Sequence, residues 1–199
     1  MFDKGTYKEA VGEYPKAINA YFFALSLFNT SLPVYVAIAR TYKKNRAFYN
    51  SIDYYTKAIG LYPMNAELYA KRADVHRSLK EYNLTIDNYK TASKLDSSNV
   101  EYYKNSASAK YAIDDIQGAI NDYTSALAQD YKNDSLYAQR GFYKLLKKMY
   151  KSAKEDYLSA IKYNPNKAHY YYMLGCAEEL NNDTSDAEIH FKKYKELTA

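Results

Sequence analysis

Shifting the chain against itself by 34 residues aligns its tyrosines and small residues in columns along the whole length, with no insertion or deletion. One column reads Tyr21, Tyr55, Tyr89, Tyr123, Tyr157 and Phe191; a second reads Ala24, Ala58, Ala92, Ala126 and Ala160 and breaks at Tyr194. A third holds Gly5, Ala39, Ala73, Ala107, Gly141 and Gly175, and a fourth Tyr35, Tyr69, Tyr103, Tyr137 and Tyr171. A fixed period of this length marks a repeat array, each repeat being one supersecondary unit that cannot bury its apolar face alone. Stacked neighbours bury that face together, so the 199 residues are expected to form one continuous array rather than one or two globular domains.

Within each period two blocks carry apolar and small residues at helical spacing. Leu68, Tyr69, Ala73 and Val75 mark one helix and Leu84, Ile86, Tyr89 and Ala92 the next; Ile120, Tyr123, Ala126 and Leu127 repeat the i, i+3, i+4, i+7 face. Ser31, Asn65, Asn99 and Asn133 stand just before helical blocks, where their side chains can accept from unpaired N–H groups of the first turn. Pro63 and Pro165 follow a helix and stop it, while Pro15 sits at a helix start, where it is tolerated. The pattern predicts twelve helices in six antiparallel pairs, the first helix shortened. The alanine column lets a neighbouring helix approach, and the tyrosine column fills the space beside it.

The chain has 26 tyrosines and no tryptophan; fourteen of those tyrosines fall in repeat columns and the other 12 are scattered, so architecture covers much of the excess. No run of 18 apolar residues is present. The N-terminus lacks the pattern of a secretory signal. A single cysteine, Cys176, excludes an internal disulfide framework and suits a reducing compartment; it slightly favours the cytoplasm while leaving a periplasmic or secreted location open. The net charge of +5, from 28 basic and 23 acidic residues, is too mild for the dense basic stripe of a nucleic-acid binder, so no nucleic acid is expected.

The fifth repeat reads Tyr137, Gly141, Tyr150, Ala153, Tyr157, Ala160, Pro165, and the second Tyr35, Ala39, Tyr42, Phe48, Tyr55, Ala58, Pro63. In these residues the chain resembles the tetratricopeptide repeat (TPR) family over essentially its whole length, with Arg72 and Arg140 in place of the usual Leu before the small residue. The resemblance implies an all-α fold, a right-handed superhelical solenoid of about six antiparallel helix pairs. It also implies a single array over 1–199, with repeats near 1–31, 32–65, 66–99, 100–133, 134–167 and 168–199. The first helix of each pair would line a concave groove where a peptide or partner protein lies.

By that resemblance the groove carries Arg40, Lys43, Lys44, Arg77 and Lys104 toward one end and Tyr111, Phe142, Leu145 and Tyr172 toward the other. On one reading this is a bipartite peptide site. The cations meet acidic groups, Arg gripping carboxylates with two hydrogen bonds, and the rings hold apolar anchors. On the other, the cations are a solvated face balanced by Glu9, Glu67, Asp74 and Glu101, and Leu145 and Leu146 simply pack against the next repeat. Both readings stay open from sequence. The TPR arrangement that clamps chaperone C-terminal carboxylates is not reproduced: its best frame places Lys104, Ser108, Gln139, His169 and Met173, one match in five.

Signals for catalysis are weak. His169 and Cys176 share a helix face but stand two turns apart, about 10 Å, beyond reach of a base and its nucleophile. His76 occupies the place of Tyr42 and is expected to be a packed histidine; no two histidines have metal-ligand spacing and no glycine loop cradles phosphate. The sequence therefore predicts a scaffold that is not an enzyme, holds no cofactor and no metal, and binds a protein or peptide with acidic and apolar anchors. The alternatives are a targeting or regulatory segment of a larger protein (an enzyme or an envelope-assembly factor) and, more remotely, an RNA-binding helical repeat. At the C-terminus Tyr194, Lys195 and Glu188 break the repeat code, which reads as a polar end near Ala199, and the terminal repeats are candidates for self-association.

Overall fold

The computed structural model describes residues 1–199 as twelve α-helices without a strand. They pack as two compact units, Met1–Ser97 and Ser98–Ala199. The first unit holds α1 (Phe2–Ala10), α2 (Tyr14–Leu27), α3 (Leu32–Lys44), α4 (Phe48–Leu61), α5 (Ala66–Ser78) and α6 (Tyr82–Leu95). The second holds α7 (Val100–Ala112), α8 (Ile116–Gln129), α9 (Asp134–Leu146), α10 (Tyr150–Tyr163), α11 (Ala168–Leu180) and α12 (Thr184–Thr198). Within each unit every helix packs on the next in chain order, and α1 also meets α3, as α9 meets α11. This is the repeat of helix pairs that the 34-residue period predicts.

The turn inside each pair is the same six times. The N–H groups of Glu13, Ala47, Glu81, Asp115, Met149 and Asp183 donate to carbonyls five residues back, at 2.8–3.0 Å. The residue before each has positive φ: Gly12 at 79°, then Arg46, Lys80, Asp114, Lys148 and Asn182 at 58–66°. Together these are the Schellman closure, which satisfies carbonyls at a helix end. Only the first repeat supplies glycine, so the others hold an L-residue in a conformation that costs roughly 1–2 kcal/mol. This column was not foreseen from sequence, because the residues in it share no chemistry.

Of the four predicted N-caps, three form. The side chain of Asn65 accepts from Glu67 N–H and that of Asn99 from Glu101 N–H, both at 3.1 Å, and that of Asn133 from Leu136 N–H at 3.4 Å. Ser31 makes no such bond. The second helical residue, whose N–H Asn65 and Asn99 use, is here Pro33, which has none.

The columns meet in the core. Tyr21, Tyr55, Tyr89, Tyr123 and Tyr157 are buried, as are Ala58, Ala92, Ala126 and Ala160. Small residues face the rings: a Cβ on Gly5 would overlap the Tyr21 ring, and one on Gly175 would stand 2.7 Å from Phe191. Those positions are small because a ring occupies the space. In the fourth column, Tyr35, Tyr69 and Tyr171 tie their hydroxyls to the carbonyls of Asn29, Pro63 and Pro165, six residues back, at 3.0–3.1 Å.

Two arginines act as straps within their units. Arg72 on α5 donates to Thr56 on α4 and Asn88 on α6, each at 2.9 Å. Arg140 on α9 donates to Thr124 on α8 at 3.3 Å and to both oxygens of Asp156 on α10, at 3.0 and 2.6 Å. The two straps lie 68 residues apart, two full periods.

Candidate functional site

The residues expected to line the groove lie on α3 and α5 in the first unit and on α7, α9 and α11 in the second. In the first unit the charges are organised around Glu9 on α1, only 4% exposed. Its carboxylate accepts from Arg40 Nε and Nη2 at 2.8 and 2.7 Å and from the Tyr21 hydroxyl at 3.0 Å, and lies 2.9 Å from Lys44 Nζ. Burial by itself would raise the pKa of this carboxyl, but the hydrogen bonds from Arg40, Lys44 and Tyr21 outweigh it and hold the group at about 2. On α5, Asp74 Oδ1 accepts from Arg77 Nη2 at 2.7 Å and from the Tyr89 hydroxyl at 2.6 Å.

Arg40, Lys44 and Arg77 thus already have carboxylate partners, two of them on a carboxylate that is buried rather than solvated. Lys43 makes no ion pair; burial lowers the pKa of its ammonium, with Asp74 opposing and Arg77 and Lys71 adding to the effect. In the second unit, Lys104 pairs with Glu101 on its own helix at 2.6 Å, and a pair so exposed contributes little.

The apolar positions differ in kind. Tyr111 on α7 and Phe142 on α9 are 47% and 36% exposed, and both rings stand edge-on to the buried ring of Tyr143, at 5.5 and 5.4 Å. Tyr172 on α11 is also exposed, but its ring leans on Phe191 and Tyr194 of α12. Leu145 is half-buried and packs against the core built on Ala138, Tyr170 and Leu174. Beside Phe142, a cleft of about 260 Å³ opens between α9 and α11, walled by Ala138, Gln139, Phe142 and Met173, with Lys167 and His169 also lining it. Tyr157, on α10 and 1% exposed, lines this cleft as well, and its buried hydroxyl has no hydrogen-bond partner. Sequence reading placed Tyr157 in the core and missed that unpaired group.

Burial pushes the Cys176 thiol up, against a hydrogen bond from Tyr172, which keeps it protonated and a poor nucleophile. His76 is buried with Nδ1 2.7 Å from Glu81, as expected of a packed histidine. No group of three or more His, Cys, Asp or Glu is placed to hold a metal ion, and no helix is long and apolar enough to cross a membrane.

Tetratricopeptide repeat family models match residues 32–65 and 149–199. No curated protein sequence matches the chain. Among solved structures, MamA is similar at 25% identity and TM-score 0.72, over 83% of this chain and 91% of that one. YrrB, described as a TPR protein with an unusual peptide-binding site, is 15% identical with TM-score 0.71, over 89% and 92%. The C-terminal part of a TPR repeat-containing protein from Cytophaga hutchinsonii is 15% identical with TM-score 0.81, over 99% and 79%. The matched segments are tetratricopeptide repeats, and the six helix pairs and the column residues at their contacts agree with that fold along the rest of the chain.

Proposed function

We propose that this protein is a non-catalytic scaffold that holds a peptide or partner protein on the face formed by the first helix of each pair. The observation that carries the reading is the set of exposed rings, Tyr111 and Phe142, braced against buried Tyr143 beside an open cleft. Rings held from behind lose little freedom on binding, which suits them to anchor an apolar side chain. The peptide-binding site named for YrrB supports the same reading by analogy of fold. Leu145 and Tyr172 extend the apolar surface. Arg40, Lys43, Lys44, Arg77 and Lys104 supply the cationic part; Lys43, without an ion pair, is the one that meets an acidic group at least cost.

The test is selection from a displayed random-peptide library against the intact chain, followed by affinity measurement with Tyr111→Ala and Phe142→Ala. Each substitution is expected to weaken the selected peptides about tenfold or more with helicity unchanged. Affinities untouched by both would remove the aromatic anchor from the reading.

A further inference from the structure

Across the tyrosine column, the hydroxyl meets a carboxylate in two repeats, and in each the carboxylate comes from the first helix of the same pair. Tyr21 donates to Glu9 at 3.0 Å and Tyr89 to Asp74 at 2.6 Å. Shifted by the repeat period, Glu9 falls on Leu145 and Asp74 on Phe142. The fifth repeat has thus lost both acidic positions that could serve Tyr157. Its hydroxyl, alone among those of the column, is fully buried and unpaired. A buried donor left unmatched is costly, and native structures rarely retain one without a use.

We propose that the cleft between α9 and α11 is a pocket for one acidic side chain, Glu or Asp, of a bound peptide, whose carboxylate takes the place that Glu9 and Asp74 hold in other repeats. The inference rests on the peptide-binding reading above and names one residue of the ligand. The walls suit such a side chain: Ala138, Phe142 and Met173 cover its methylenes, Gln139 and His169 offer N–H groups, and Lys167 supplies positive charge. At about 260 Å³ the cleft falls below the roughly 300–1,000 Å³ of ordinary small-molecule sites, so it fits a side chain better than a metabolite. Two carboxylates lie close by: Asp156 is already neutralised by Arg140 and Lys144 at 2.6 and 2.8 Å, and Asp134 accepts from the lining Tyr170 hydroxyl at 2.6 Å and is favoured by Lys167. Burial also raises the pKa of Tyr157, with Asp156 and Cys176 adding to it, so the hydroxyl keeps its proton and has it to donate.

The experiment is a positional peptide library, every member amidated at its C-terminus so that no terminal carboxylate competes, bound to the wild type, Tyr157→Phe and Lys167→Ala. Wild type is expected to prefer Glu or Asp over Gln and Leu at one position by about tenfold, and Tyr157→Phe to reduce that preference to about twofold while leaving apolar positions unchanged. Lys167→Ala should weaken the preference at low salt and leave it less salt-sensitive than that of the wild type. In the free protein, Tyr157→Phe should leave the Tm unchanged or raised, whereas Tyr21→Phe lowers it. Peptides that bind through Phe142 but show no acidic preference, or one that survives in Tyr157→Phe, overturn the pocket and leave the groove standing. A library from which nothing binds overturns both. A Tm drop in Tyr157→Phe matching that of Tyr21→Phe would make the hydroxyl structural and likewise overturn the assignment.

Discussion

Glu9 carries a negative charge in a place that only its partners make tolerable. Its folded-state pKa is about 2 against an ordinary 4.5, so the carboxylate stabilises the fold fully above about pH 4.5, and that contribution is lost as pH falls toward 2. Arg40 and Lys44 are about half exposed, so solvent screens their share and the contribution is about 2–3 kcal/mol rather than more. Urea midpoints of the wild type should fall between pH 4.5 and 2 more steeply than those of Glu9→Gln, which should already be less stable at neutral pH. Parallel slopes for the two proteins would show that the carboxylate is not clamped. In the sequence, Glu9 was legible as a counter-charge but not as a buried one. Burial there depends on Tyr21 and α3 closing over it, contacts twelve and 31 residues away.

At the scale of the helix, the straps of Arg72 and Arg140 show how one sequence position acquires two energies. Both replace the leucine of the family pattern and both bridge the helices on either side. Arg72 leans on neutral groups, so Arg72→Leu leaves one buried amide oxygen, that of Asn88, unmatched, at a cost of about 1–2 kcal/mol. Arg140→Leu leaves the carboxylate of Asp156, 2% exposed, with Lys144 alone, and should cost about 3–5 kcal/mol. Chemical denaturation of the two variants tests the order, and equal losses would mean that Asp156 is relieved by other means. The substitution was visible in sequence; its partners, sixteen residues away on either side, were not.

For the whole molecule, the repeat explains most of what is buried, and the remaining apolar surface is where association between copies would occur. Phe23, Leu27 and Phe28 on and after α2 are each at least half exposed, and Met1 lines one cleft with Leu27 and Phe28 and another with Phe23, so the four share one apolar face. Sedimentation over about a hundredfold concentration range should show a dimer that Phe28→Asp, together with Leu27→Asp, returns to monomer. A monomer at every concentration would remove self-association through this surface.

The period, the helices, three of their caps and the residues facing the core were readable in the sequence, because a stacked array repeats one local packing problem and solves it with one set of residues. The left-handed turn position escaped, since backbone closure imposes it on whatever residue stands there. What only the tertiary structure decided was the state of each polar group: which groove cations are already paired, which carboxylates are buried, and that Tyr157 lacks the acceptor given to Tyr21 and Tyr89. Pairing is a matter of distances between helices, to which the column alignment is blind. The register shows that Leu145 and Phe142 stand where Glu9 and Asp74 do in other repeats; only packing shows that the Tyr157 hydroxyl is buried there without a partner.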